Sequence, residues 1–183
     1  IYARGFRGRV IATTATCDLC NIMLKDSAHI QEMEAEWKNR KARRAGKPEV
    51  PPLYEMNDAL GVLEHMEPYR YGDMVQVDEN VRIRFTDVGH LLGSASIEIW
   101  LTEDGAEKKI VFSGDIGNED KPLIRNPAYT DEADYAVMES TYGDRLHQKG
   151  ADHITELARI VQETLDRGGN VVIPAFAVGR TQE

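Results

Sequence analysis

Cysteine is nearly absent: of 183 residues only Cys17 and Cys20 carry a thiol, in a single C-x-x-C. With no second pair and no histidine at finger spacing, the pair argues against a zinc finger or a redox motif. Two small, partly buried residues of a helix are the better reading. Long apolar runs are missing too. None approaches the ~18 residues of a membrane span, and no basic, apolar leader opens the chain, so a cytoplasmic protein is expected. Positive charge is in deficit, with 22 Lys and Arg against 31 Asp and Glu, a net charge of −9 and a pI near 5.1. That balance excludes a protein that coats nucleic acid through a generally basic surface. It leaves room for a nucleic-acid enzyme, because bound cations and one basic groove reverse the field locally.

What remains is ordinary for a folded domain: 42% hydrophobic and 29% charged residues. The length suits one domain or pieces of two. The first residue is Ile1 and the last five are GRTQE, which reads as an opening helical turn. The expectation is a fragment.

Along the chain, Arg9–Thr13 is β-prone, and Thr14 or Thr16 is placed to cap a helix from Cys17 to about Arg44. Leu19, Ile22, Met23, Ile30 and Met33 recur near the helical period and predict its buried stripe. Its second half is dense in charge. Trp37 amid basic residues suits nucleic acid, yet a solvated helix end favoured by the macrodipole explains it more simply. Gly46–Pro52 is a flexible connection. A short amphipathic helix is predicted over Asn57–Met66, with His65 a surface or capping residue, and Tyr69–Gly72 turns the chain. From Asp73 the period becomes two. DMVQVD and VRIRFTDV meet through Glu79-Asn80, and SASIEIWLTE and KKIVFSGD through Glu103-Asp104-Gly105, giving a four-strand antiparallel meander. A buried strand, DYAVME, follows the loop 117–130. Asp152 then caps the helix HITELARIVQETLDRG, which closes at Gly168-Gly169 before a buried strand NVVIPAF. A βαβ-type unit with a parallel sheet is expected there, so the architecture changes after about Gly143. The fold class is α/β.

Three apolar strands each end in one ionisable residue among small ones: His90 in GHLLGSA, Asp115 in FSGDIG and Glu139 in MESTYG, 25 and 24 residues apart. A sheet that delivers polar groups to one edge can build a metal site. The glycines around His90 permit close approach, and an aspartate oxygen suits a hard or borderline cation. A buried carboxylate at Glu139 requires a partner or a metal. Taken singly, His90 reads more readily as structural than as a ligand, and Asp115 also reads as an Asx-turn.

GHLLGSA, FSGDIG, ESTYGDR and IPAFAVGRTQE resemble, in order, the central motifs of the β-CASP branch of the metallo-β-lactamase-fold nucleases, and the resemblance covers nearly the whole chain. It implies the second half of an αββα sandwich over residues 1–143 and the start of an inserted β-CASP domain over 144–183. It implies two zinc ions in the parent protein, with His90 a ligand of one and Asp115 the carboxylate bridging both. Glu139 would hydrogen-bond a ligand histidine, and Arg180 would contact RNA phosphate. The implied function is hydrolysis of RNA phosphodiesters by metal-activated water, with RNA as partner and a homo-oligomer as an option. The family's H-x-H-x-D-H signature is missing: the histidines are His29, His65, His90, His147 and His153, no two separated by one residue. This chain alone is therefore expected to be inactive, with its metal site incomplete. The alternatives are a non-catalytic scaffold paralogue of an RNA-processing complex, or a metallo-hydrolase acting on DNA or small molecules.

Overall fold

The computed structural model describes residues 1–146 and 152–182; His147 and Glu183 lie outside them. The fold is mixed α/β, in two compact units, Ile1–Val137 and Met138–Glu183.

In the first unit, strand β1 (Val10–Thr13) runs directly into helix α1 (Thr14–Arg44). The cap is Thr13, whose backbone stays extended while its Oγ1 accepts from Thr16 N at 3.2 Å. Thr14 and Thr16, the expected caps, are already helical, because a cap needs a residue still in strand conformation. Helix α2 (Met56–Leu63) ends earlier than its apolar pattern suggested. Met66–Tyr69 instead forms strand β2, parallel to β1 with Val10 opposite Met66. MEPY has no two-residue period, so only its pairing partner, more than fifty residues away, makes it a strand.

The second sheet has the order β3-β4-β5-β6-β7. Strands β3 (Met74–Gln76), β4 (Val81–Asp87), β5 (Ala95–Glu103) and β6 (Ala106–Phe112) form the expected antiparallel meander. Asp104 and Gly105, at φ 50° and 76°, supply the left-handed pair that a two-residue hairpin turn needs. Phe85, Val75, Val88 and Val111 are its buried apolar residues. β7 (Tyr135–Val137) adds to β6 in parallel. It was expected to be buried and is exposed, since it is the sheet's edge strand.

On β5 a carboxylate is buried. Glu98 accepts from Arg84 Nε and Nη2 (2.9 Å each), Thr86 Oγ1 (2.7 Å) and Lys109 Nζ (2.6 Å). The register places Arg84 directly opposite Glu98, and Lys109 opposite Trp100, two residues on. Burial alone would raise the carboxyl; the three donors outweigh it and hold Glu98 at about 2.

Two further expected burials fail. Along α1 the buried residues are Ala28 and Ala35, whereas Ile22, Met23, Ile30 and Met33 are exposed. A helix buries whichever side its neighbours cover, and α1 turns its alanines inward. In the second unit, helix α3 (His153–Asp166) is capped as expected, Asp152 Oδ1 accepting from Thr155 N at 3.0 Å. The segment NVVIPAF, however, is neither strand nor buried: Val172 and Phe176 are 86% and 89% exposed. A strand needs a ladder partner, and among the described residues none pairs with it, so no βαβ unit forms there.

Candidate metal centre

β4 and β6 both run antiparallel to β5, and β7 runs with β6, so all three end at the same edge of the sheet. His90 follows β4 by three residues and Asp115 follows β6 by three. The two loops bring His90 Nε2 to 3.9 Å from Asp115 Oδ2. The imidazole is half-buried and the carboxylate faces solvent.

The His90 loop is held from several sides. Ser94 Oγ accepts from His90 N (3.2 Å) and Leu91 N (3.1 Å), and Asp87 Oδ1 accepts from Gly89 N (3.0 Å). The loop's far end meets the start of α1, where Thr13 Oγ1 and Thr16 Oγ1 donate to Gly93 O at 2.9 and 3.0 Å. A Cβ on Gly93 would lie 2.7 Å from Thr16 Oγ1. Tyr71 OH donates to Ser94 O at 3.0 Å; burial, then the Asp87 charge, push its phenol upward. The Asp115 loop is joined to the His90 loop backbone to backbone. Gly117 N donates to Val88 O (2.8 Å), and a Cβ on Gly117 would fall 1.7 Å from Gly89 O. Only glycine allows that approach.

The donor chemistry suits a metal: one imidazole nitrogen and one carboxylate oxygen, converging at a sheet edge, serve borderline cations such as zinc. They are two donors, and among the described residues no group of three or more His, Cys, Asp or Glu side chains converges. Glu139 and Arg180 belong to the second unit. Glu139 comes two residues after β7 and, expected to be buried, is exposed, as is Arg180. In place of the expected helix start, Arg180 sits in a turn where Gln182 N donates to Gly179 O at 2.9 Å. His65 packs its ring 5.9 Å from that of Tyr2, in keeping with a structural role. Nothing local in the sequence marks Thr13, Thr16 and Tyr71 as the residues that hold the His90 loop. Their partners lie 23 to 80 residues away.

No family model matches the sequence. Individual proteins do. A ribonuclease of Thermus thermophilus is 32% identical over 183 residues, all of this chain and 37% of its own length. An RNase J-like protein of Methanocaldococcus jannaschii is 42% identical over 134 residues, covering 71% of this chain and 31% of itself. The transcription termination factor FttA of the same archaeon is 33% identical over 187 residues, covering all of this chain and 27% of itself. The chain thus spans about a third of the length of these relatives. With the motifs at His90, Asp115, Glu139 and Arg180 in family order and similarity along the full sequence, the chain belongs to the β-CASP branch of the metallo-β-lactamase-fold nucleases.

Proposed function

We propose that the protein containing this chain hydrolyses RNA phosphodiester bonds at a metal centre to which His90 and Asp115 contribute. The convergence of His90 Nε2 and Asp115 Oδ2 at 3.9 Å on one sheet edge carries the reading. The similarity to proteins named as ribonucleases supports it.

His90 and Asp115 would hold zinc, the imidazole supplying a nitrogen donor and the exposed carboxylate supplying oxygen donors. When bound, such ions lower the pKa of water and neutralise charge on the scissile phosphate. The hydrogen bond that Ser94 Oγ accepts from His90 N, and those that the Thr13 and Thr16 hydroxyls donate to Gly93 O, hold the histidine loop in place before any ligand arrives. Glu139 is assigned the part of a carboxylate that orients a ligand histidine, and Arg180 that of a guanidinium contact to RNA phosphate. Residues 1–143 are assigned to the metallo-β-lactamase-fold domain and 144–183 to the start of the β-CASP domain.

The test uses the intact protein and single-stranded RNA. His90→Ala and Asp115→Asn are expected to abolish cleavage and lower the metal content. Glu139→Gln is expected to weaken metal affinity or activity by about 10–100-fold. Wild-type cleavage and full metal content in both His90→Ala and Asp115→Asn would sink the assignment.

A further inference from the structure

The His90 loop is fastened at two consecutive carbonyls. Gly93 O accepts from the Thr13 and Thr16 hydroxyls, and Ser94 O, one residue on, accepts from Tyr71 OH at 3.0 Å. Ser94 then turns back on the segment that carries the candidate ligand. Its N–H donates to Leu91 O at 3.0 Å, while its Oγ accepts from His90 N at 3.2 Å and Leu91 N at 3.1 Å. The sheet fixes both ends of the loop, with Asp87 opposite Ala95, and the hydrogen bonds of Ser94 set the path between them.

Tyr71 belongs to neither of the loops that carry His90 and Asp115, yet its base is firm. In the turn before β3, Gly72 N donates to Phe85 O at 2.9 Å and Asp73 Oδ2 accepts from Arg70 N at 3.1 Å. Thr14 Oγ1 donates to Tyr69 O at 3.3 Å. The turn is thus tied both to β4 and to the start of α1. The phenol is half-buried, and burial, then the Asp87 charge, raise it above its ordinary value, so it stays a donor at neutral pH. A phenylalanine ring would fill the same space. What the oxygen adds is a bond to the residue whose side chain accepts from His90 N.

We infer that Tyr71 is a positioning residue for His90: through Ser94, its hydroxyl fixes the backbone from which the imidazole reaches Asp115. Its effect on metal rests on the function proposed above; its effect on the loop does not. Without the bond the loop populates arrangements with the imidazole displaced, and the apparent metal Kd rises by the inverse of the fraction that stays competent. One neutral hydrogen bond corresponds to a change of about two- to tenfold. Thr13 acts on the neighbouring carbonyl but also caps α1, so its substitution mixes helix stability with loop position. Tyr71→Phe removes one oxygen and leaves the ring.

That variant of the intact protein is the test, beside Tyr54→Phe, which removes a phenol oxygen 2.6 Å from Ser27 Oγ. Ser27 lies 13 residues along α1 from Thr14, about 20 Å from the end that meets the His90 loop. Tyr71→Phe is expected to raise the zinc Kd, read by chelator competition, about two- to tenfold. In the metal-free protein it should also speed hydrogen exchange in the peptide that bears the His90 and Leu91 amides. Tyr54→Phe should do neither. Wild-type exchange of that peptide in Tyr71→Phe overturns the inference. An equal rise of the zinc Kd in Tyr54→Phe does so too, since the effect is then one of global stability. Faster exchange with an unchanged zinc Kd, where His90→Ala does lose zinc, confines Tyr71 to the loop and overturns its role toward the ligand. If His90→Ala and Asp115→Asn both keep metal and cleavage, the proposed function falls instead, and exchange in the metal-free loop alone decides the part of Tyr71.

Discussion

Glu98 is a carboxylate in the middle strand of a sheet, fully enclosed, with a guanidinium, an ammonium and a hydroxyl all donating to it. Such a group is stable only because every lone pair is used; remove the carboxylate charge and two cations are left facing each other across β5. Glu98→Gln is therefore expected to cost about 3 kcal/mol, at the low end for a broken buried pair because Arg84 reaches solvent. Urea unfolding at neutral pH measures it. The pH dependence has a definite sign. The carboxyl is depressed from 4.5 to about 2 on folding, so its contribution is fully present above pH 4.5. It is lost as pH falls through about 2. The variant should lose that part of the acid unfolding limb, and an unchanged limb would show that the charge is not held as the hydrogen bonds indicate.

At the scale of elements, the junction of β1 and α1 links stability to the candidate site. Thr13 closes the first turn of α1 and donates to Gly93 O in the His90 loop, so one hydroxyl serves two structures. Thr13→Ala is expected to destabilise the protein by about 0.5–2 kcal/mol, the range for loss of a cap. It should also broaden the His90 imidazole signals in NMR, whereas Thr13→Ser should do neither. A loss of stability with His90 unaltered would confine Thr13 to capping. Neither consequence is visible in a sequence window, because Gly93 is 80 residues from Thr13.

At the scale of the whole molecule, chelation provides the broadest test of the proposed chemistry. Dialysis of the intact protein against a chelator is expected to stop RNA cleavage, and added zinc to restore it. Cleavage that persists after metal removal would overturn the metal centre while leaving the fold assignment intact.

Residue order alone was enough for whatever depends on near neighbours. The meander from Met74 to Phe112 was legible because each strand alternates and each turn has its own chemistry, down to Asp104-Gly105. The caps and lengths of α1 and α3 were nearly legible for the same local reason. His90 and Asp115 stood out as strand-end polar groups among glycines, and folding set them side by side. Long-range pairing decided the rest. It made MEPY a strand, and without a ladder partner among the described residues the equally apolar NVVIPAF is not one. Periodicity marked a stripe on α1 but not its destination. The alanines face inward because close packing favours small side chains there, and the stripe of Met23, Ile30 and Met33 turns outward as a consequence. The backbone approach of Gly117 to Gly89, and the buried charge of Glu98, likewise required the folded sheet, since each is a contact between segments that the sequence holds apart.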